Sequence, residues 1–346
     1  MKLTKIQWCN STINPIMGCD GCELWPPRPK VVDTTVKAII AMTHGQFAVD
    51  VRKVVALVFS DRVTSEIYVD REEIAGKLAK HYNLDKAGYD ELVDVIRDAC
   101  KCYAGLIGTN RAGHKGYADE FTQPKLFPGR MAEAARWGVP SDEERLAKPW
   151  LGNAPRMIFV SDMGDALSKS IPFEYLKTEI IDVVDSENGR RHLWLWLTKR
   201  PARMAEFASW LLKQGITWPD NLVAMTTITS MATVGRVDAL RKVPSKFKGL
   251  SCEPMFDELN LDLSGIDWCI AGGGSDVLAA PFHVEWALNL RKQCRQAGTA
   301  FFLKQLGKNP VFNGQALELN HRHGGDWAEW DEEWRTREIP ERFTQR

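Results

Sequence analysis

Two pairs of cysteines stand where thiolates can share a metal. Cys19 and Cys22 form a Cys-x-x-Cys pair framed by glycines, and Cys100 and Cys102 are separated by one residue just ahead of Tyr103 and Ala104. Thiolates this close in a loop can reach one ion, and soft sulfur selects zinc or iron. Four such ligands make a closed structural zinc site, whereas three leave one iron of a cubic [4Fe-4S] cluster open to another ligand. Cys252 and Cys269 fall in or near expected strands and Cys294 on an expected helix; Cys269 and Cys294 read as small buried hydrophobes. Cys9 flanks the first expected strand and fits either role.

A second set of reactive side chains follows a series of short runs rich in branched and aromatic residues, at Arg156 to Val160, His192 to Leu197, Leu222 to Thr226, Phe247 to Ser251, Asp267 to Ala271 and Thr299 to Leu303. Ser161, Asp162 and Asp165 come after the first run, and Thr198, Lys199 and Arg200 after the second. Thr227 and Thr229 follow the third, Cys252 and Glu253 the fourth, Gly272 to Asp276 the fifth, and Lys304 and Gln305 the sixth. Polar residues cap strands in every α/β protein, so any one of these positions is as readily structural as functional. Asp165 can cap the next helix, and His283 can begin the helix HVEWALNL. His321, His323 and Asp326 have a superficial metal-ligand spacing but read as a polar loop. Trp194 and Trp196, two apart in a strand, share one face and suit packing between layers.

The elements that must position these groups follow from the intervening sequence. PARMAEFASWLLKQG and HVEWALNLRKQCRQAG have the apolar spacing of amphipathic helices, so the chain alternates strand and helix. Parallel strands need crossover helices, and the alternation therefore predicts a parallel sheet, either open and doubly wound or closed as a barrel. A barrel gathers every strand end around one cavity, which favours a TIM-like full or partial (β/α) barrel. A strand at Ile13 to Met17 would bring the cysteine loop to the same rim. Residues 1–30 thus hold the first strand and the cysteine loop, which Pro26, Pro27 and Pro29 keep from being a helix interior. Residues 31–99 form a helical insertion, 100–312 the remainder of the barrel, and 313–346 a C-terminal extension. GLIGTNRAGHKGYADEF reads as a long irregular connection, followed by a short helix from about Phe127 to Trp137.

The chain of 346 residues is 44% hydrophobic and 26% charged, the balance of a folded globular protein. Basic and acidic residues number 45 each, so no net field draws in a polyanion, although a local basic patch remains compatible with that balance. No segment approaches the roughly 18 apolar residues of a membrane span, and the N-terminus has no apolar leader, which makes a cytoplasmic protein with no membrane partner the expectation. In that compartment eight cysteines indicate metal binding or core packing rather than four disulfides.

The motifs NPIMGCDGCELWPP, CYAG, LFPGRM, IFVSDMGDALS, LTKRPARM, LSCEP, DWCIAGGGSD and FFLKQLG resemble, over Ile6 to about Gly325, the phage-associated three-cysteine family of unknown function, which is similar to radical S-adenosylmethionine enzymes. The resemblance implies Cys19, Cys22 and Cys102 as ligands of a [4Fe-4S] cluster, with Asn14 and Pro15 opening the motif and Cys100 outside the ligand set. Gly272, Gly273 and Gly274 stand where the family has Gly-Gly-Glu, and the three-cysteine loop signature of the main radical enzymes is absent. It further implies that S-adenosyl-L-methionine binds near Gly272 to Ser275, Thr198 and Arg200, that Lys199, Glu253 and Asp162 act on cofactor or substrate, and that an electron donor takes part. The expected substrate is a nucleic-acid component or another small metabolite. The competing expectation is a non-catalytic module, stapled by structural zinc or a fully ligated cluster, that binds nucleic acid or a protein.

Overall fold

The computed structural model describes residues 4–26, 28–60, 62, 70–98, 102–275 and 279–344. Cys100, Pro27 and Asp276 lie outside the described residues. The chain forms two compact units, one made of Met1–Pro15 with Phe127–Arg346 and the other of Ile16–Leu126.

The first unit is built on a seven-stranded sheet of β1 (Ser11–Ile13), β2 (Met157–Val160), β3 (Leu193–Thr198), β4 (Leu222–Thr227), β5 (Lys248–Cys252), β6 (Trp268–Gly272) and β7 (Ala300–Gln305). Every neighbouring pair is parallel, and the order across the sheet is the order along the chain. A doubly wound sheet needs a reversal of strand order at its switch point. None occurs here, so the winding is single and the sheet curls as a half-barrel of α/β type. The six expected strands from Arg156 onward appear within a residue or two of their predicted bounds. The first differs: it ends at Ile13, because Pro15 has no N–H with which to continue a ladder. Ile16–Met17 instead pair antiparallel with Lys125–Leu126.

Strand alternation and register sort the side chains. Met157 and Phe159, Leu193 and Leu195, Val223 and Met225, Trp268 and Ile270, and Phe302 meet on one face, with Trp8, Phe247 and Phe343 filling the space between them. The other face carries Trp194 and Trp196. Trp196 stacks on Trp218 at 5.8 Å and meets Phe207 of the helix Pro201–Leu212 edge-on at 5.9 Å, so these tryptophans pack between layers. The outer edge of β7 is covered by the C-terminal extension: Leu303 N donates to Thr336 O at 2.8 Å and Glu338 N to Phe301 O at 2.9 Å. Such cover removes the unpaired edge that would template aggregation.

The second unit is helical: α1 (Arg28–Met42), α2 (Val51–Phe59), α3 (Arg71–His81), α4 (Lys86–Asp98) and α5 (Tyr103–Asn110). α1 begins before residue 31, since Pro29 sits in the first turn, where its missing N–H has no intrahelical partner to lose. α5 corrects the expectation of an irregular connection over residues 105–110, while residues 111–121 form turns and bends as expected. Gly105 and Gly108 would weaken a free helix, but here they allow close packing against Trp25 and Phe121. Among the described residues no helix is long and apolar enough to cross a membrane.

Candidate functional site

Cys19, Cys22 and Cys102 all belong to the helical unit. Gly18 (φ 94°) turns the chain so that Cys19 N donates to Phe121 O at 2.8 Å. Cys22 and Trp25 exchange backbone hydrogen bonds of 3.1 and 3.2 Å, closing the loop on itself, and the Cys22 sulfur accepts from Leu24 N at 3.4 Å. Cys102 caps α5, its sulfur accepting from Gly105 N at 3.4 Å. Trp25 joins the two segments. A Cβ on Gly105 would lie 2.2 Å from its ring, and the ring meets Phe121 edge-on at 5.3 Å. The Cys-x-x-Cys loop and the Cys102 turn are thus packed side by side through a buried indole. Among the described residues no group of three or more His, Cys, Asp or Glu side chains is already converged on a single ion.

In the sheet unit the strand ends carry a separate polar constellation above the apolar inner face. Ser161 follows β2 in the left-handed region (φ 72°), and the resulting turn carries Asp162 to Asn14, whose Nδ2 donates to Asp162 Oδ1. Asn14 Oδ1 accepts from Met163 N at 2.9 Å, so one amide side chain fixes both the carboxylate and its loop. Burial raises the Asp162 pKa, partly offset by hydrogen bonds from Asn14 and Thr12. Register puts Ser251 on the inner face, and Glu253, two residues on, forms an ion pair with Lys304 whose side chains are only 14% and 17% exposed. Beneath lies Cys9, fully buried, with its thiol pushed up to about 12 by burial while the charges of Asp162 and Lys304 act on it. Lys148, which sequence reading missed, donates to the carbonyls of Thr4, Ile6 and Cys9 at 2.9, 2.6 and 2.6 Å and so fixes the chain leading into β1.

The remaining expected site residues make contacts with the neighbouring loops and strand ends. Asp165 accepts from the Thr198 hydroxyl at 2.8 Å, Lys199 N at 3.1 Å and Leu167 N at 2.9 Å, tying the loop after β2 to the end of β3. Thr198 is engaged there, and Arg200 stands at the N-cap of Pro201–Leu212 with Nε 3.8 Å from Asp165. The close approach permitted by the glycine run is to the chain itself. A Cβ on Gly273 would meet Leu306 O at 2.5 Å and Phe282 Cβ at 2.8 Å, while Lys308 N donates to Gly274 O at 2.8 Å, in the loop that continues to Ser275. His283 caps Val284–Ala297 by position, with its ring against Trp286. His321 Nδ1 accepts from His323 N and Gly325 N, and Asp326 caps a short turn through Ala328 N, so this polar loop is organised by its own backbone.

Residues 93–333 match the model of a family described as a protein of unknown function, DUF5131. The chain belongs to the DUF5131 family. Within the DUF5131 match lie Cys102 and the strand-end residues from Asp162 to Lys304, while Asn14, Cys19 and Cys22 precede it. No curated protein and no solved structure matches the chain significantly. The groups that sequence reading missed in this DUF5131 protein, the Glu253–Lys304 pairing and the Trp25 wedge, had signals that only become legible in register: two charges at the ends of β5 and β7, and two glycines three apart on α5.

Proposed function

We propose that the protein is an iron-sulfur enzyme of radical S-adenosylmethionine-like type, with Cys19, Cys22 and Cys102 as protein ligands of a [4Fe-4S] cluster and with the half-barrel as a partial barrel of TIM-like type. The observation that carries this reading is the Trp25 wedge, which packs the Cys102 turn against the Cys-x-x-Cys loop despite the long separation in sequence. The donor set suits such a group: soft sulfur selects iron or zinc, and the Leu24 and Gly105 N–H groups are directed at the Cys22 and Cys102 sulfurs. Cys19, Cys22 and Cys102 would hold such a cluster, which would supply one-electron chemistry toward a cosubstrate such as S-adenosyl-L-methionine. The sheet unit contributes a polar site above an apolar floor. Asp162, held by Asn14 and inclined to keep its proton, orients or exchanges a proton with a hydroxyl or amine of the substrate, a nucleic-acid component or small metabolite. Glu253 and Lys304 offer one acceptor and one donor across the same face, and Trp8, Phe159 and Phe302 below them exclude water.

Anaerobic purification and elemental analysis test the metal reading. Iron and acid-labile sulfide are expected at about four each per chain for a cubic cluster, with both lost or greatly reduced in Cys102→Ser, and the spectrum of the reduced cluster is expected to change when S-adenosyl-L-methionine is added. Stoichiometric zinc without sulfide would replace this reading with a structural metal site.

A further inference from the structure

The motif LFPGRM has no part in the chemistry above, yet its Phe127 and Arg130 bond the backbone of Pro15 and Asn14, next to the Asn14–Asp162 pair. The helix that starts at Phe173 opens into a π-helical turn over Lys177–Ile181, a local widening that often accompanies functional sites. The turn carries Glu179, a buried carboxylate 6% exposed. Its two oxygens accept from Gly129 N at 2.9 Å and Met131 N at 3.0 Å, fixing the residues on either side of Arg130. Arg130 then donates through Nη1 to Asn14 O at 2.9 Å, with its guanidinium 3.8 Å over the Phe127 ring. From the same helix Tyr175 donates its hydroxyl to Pro15 O at 2.8 Å, an oxygen that Phe127 N also reaches at 2.8 Å. Burial pushes the Tyr175 hydroxyl up to about 12, which keeps it a donor. Two neighbouring carbonyls are therefore held from the helix side, and the Asn14 side chain projects from this fixed corner to Asp162.

We propose that Glu179, Arg130 and Tyr175 are positioning residues for the Asn14–Asp162 pair, presenting the Asn14 amide so that it donates to the carboxylate. The proposal rests on Asp162 as a ligand-facing group in the reading above and not on any metal or cofactor. If the relay holds Asn14, loosening it removes a donor that favours the charged carboxylate, and Asp162 must retain its proton to higher pH. Cys9 is a titratable side chain on which the charges of Lys148, Asp162 and Lys304 act, and with its thiol pushed up to about 12 by burial it stays neutral throughout the carboxylate range.

The experiment follows the Asp162 carboxyl by site-resolved carbon NMR across pH, using full-length protein without added metal. Asn14→Ala is expected to shift the Asp162 titration upward, and Arg130→Ala to shift it in the same direction, with Arg130→Lys returning it towards wild type. Adding Arg130→Ala to Asn14→Ala is expected to produce no further change, since the relay acts only through Asn14. A merely structural arginine would lower the unfolding temperature and leave the Asp162 titration in place. Should Arg130→Ala not fold, Tyr175→Phe removes one hydrogen bond without changing the packing and carries the same expectation. A folded relay variant whose Asp162 titrates as in wild type, or a double variant whose shift is the sum of the two, overturns the proposal. The iron and sulfide content reports on the cluster separately, so either reading can fail without the other.

Discussion

Ser161 holds a conformation that few non-glycine residues adopt (φ 72°), and its buried hydroxyl has no hydrogen-bond partner among the described residues. A strained backbone and an unsatisfied hydroxyl beside a carboxylate with a raised pKa are each destabilising, and their coincidence is typical of ligand sites. Asp162 makes this testable. Its folded pKa lies above the ordinary aspartate value, so its contribution to stability is fully present below that value and is lost as the pH rises through the folded one. Above the ordinary aspartate value burial of this carboxyl opposes folding. Asp162→Asn keeps an acceptor for Asn14 and Thr12 and is expected to unfold at higher denaturant concentration than wild type at pH 7. The margin should close as the pH falls below the ordinary aspartate range. A deficit of equal size at both pH values would assign Asp162 a structural role. At this scale the sequence named Asp162, Glu253 and Asn14 from their places at strand ends and in a motif. It could not disclose the Ser161 turn, because serine has no special tolerance for positive φ, nor the salt bridge between Glu253 and Lys304, which depends on β5 and β7 flanking β6.

At the level of elements, periodicity located the strands and most helices, and it failed where close packing overrides propensity. α5 contains two glycines that ordinarily argue against a helix, and only their contacts with Trp25 and Phe121 explain them. Trp25 is 1% exposed, so its ring has no room to move aside. A methyl group at Gly105, placed 2.2 Å from that ring, forces the Cys102 turn away from the Cys-x-x-Cys loop. Gly105→Ala is expected to cost about 1–3 kcal/mol of stability, the usual range for overpacking, and to lower the iron bound per chain. Gly76 provides the control, being inside α3 with only Tyr89 Cε2 at 3.9 Å from its added Cβ. Gly76→Ala should stabilise by roughly 0.5–1 kcal/mol through helix propensity and leave iron binding unchanged. Equal behaviour of the two variants in urea denaturation and iron analysis would remove the wedge from the account.

Over the whole molecule, the regular alternation of strands and helices made the parallel α/β architecture legible, and the unreversed strand order resolves the choice between open doubly wound and barrel-like winding that alternation alone left open. What sequence could not reveal is where the helical segment leaves and re-enters the sheet unit, because the meeting of Pro15 with Phe127 is a contact between distant residues with no local signal. Phe127 N donates to Pro15 O at 2.8 Å, so the sheet unit's two internal ends are already neighbours. Arg130 and Tyr175 hold the same corner from within that unit. The apolar inner face, the crossover helices and the cover over β7 likewise draw on residues of Met1–Pro15 and Phe127–Arg346. Adjacent ends and a self-contained core are the conditions under which an inserted unit can be removed. Replacing Ile16–Leu126 by a short Gly-rich linker is therefore expected to leave a protein that unfolds cooperatively in urea, retains the near-ultraviolet circular dichroism of its packed tryptophans, and binds no iron. A product with native-like secondary structure but no near-ultraviolet signal would mean that the sheet unit depends on the helical one for its packing.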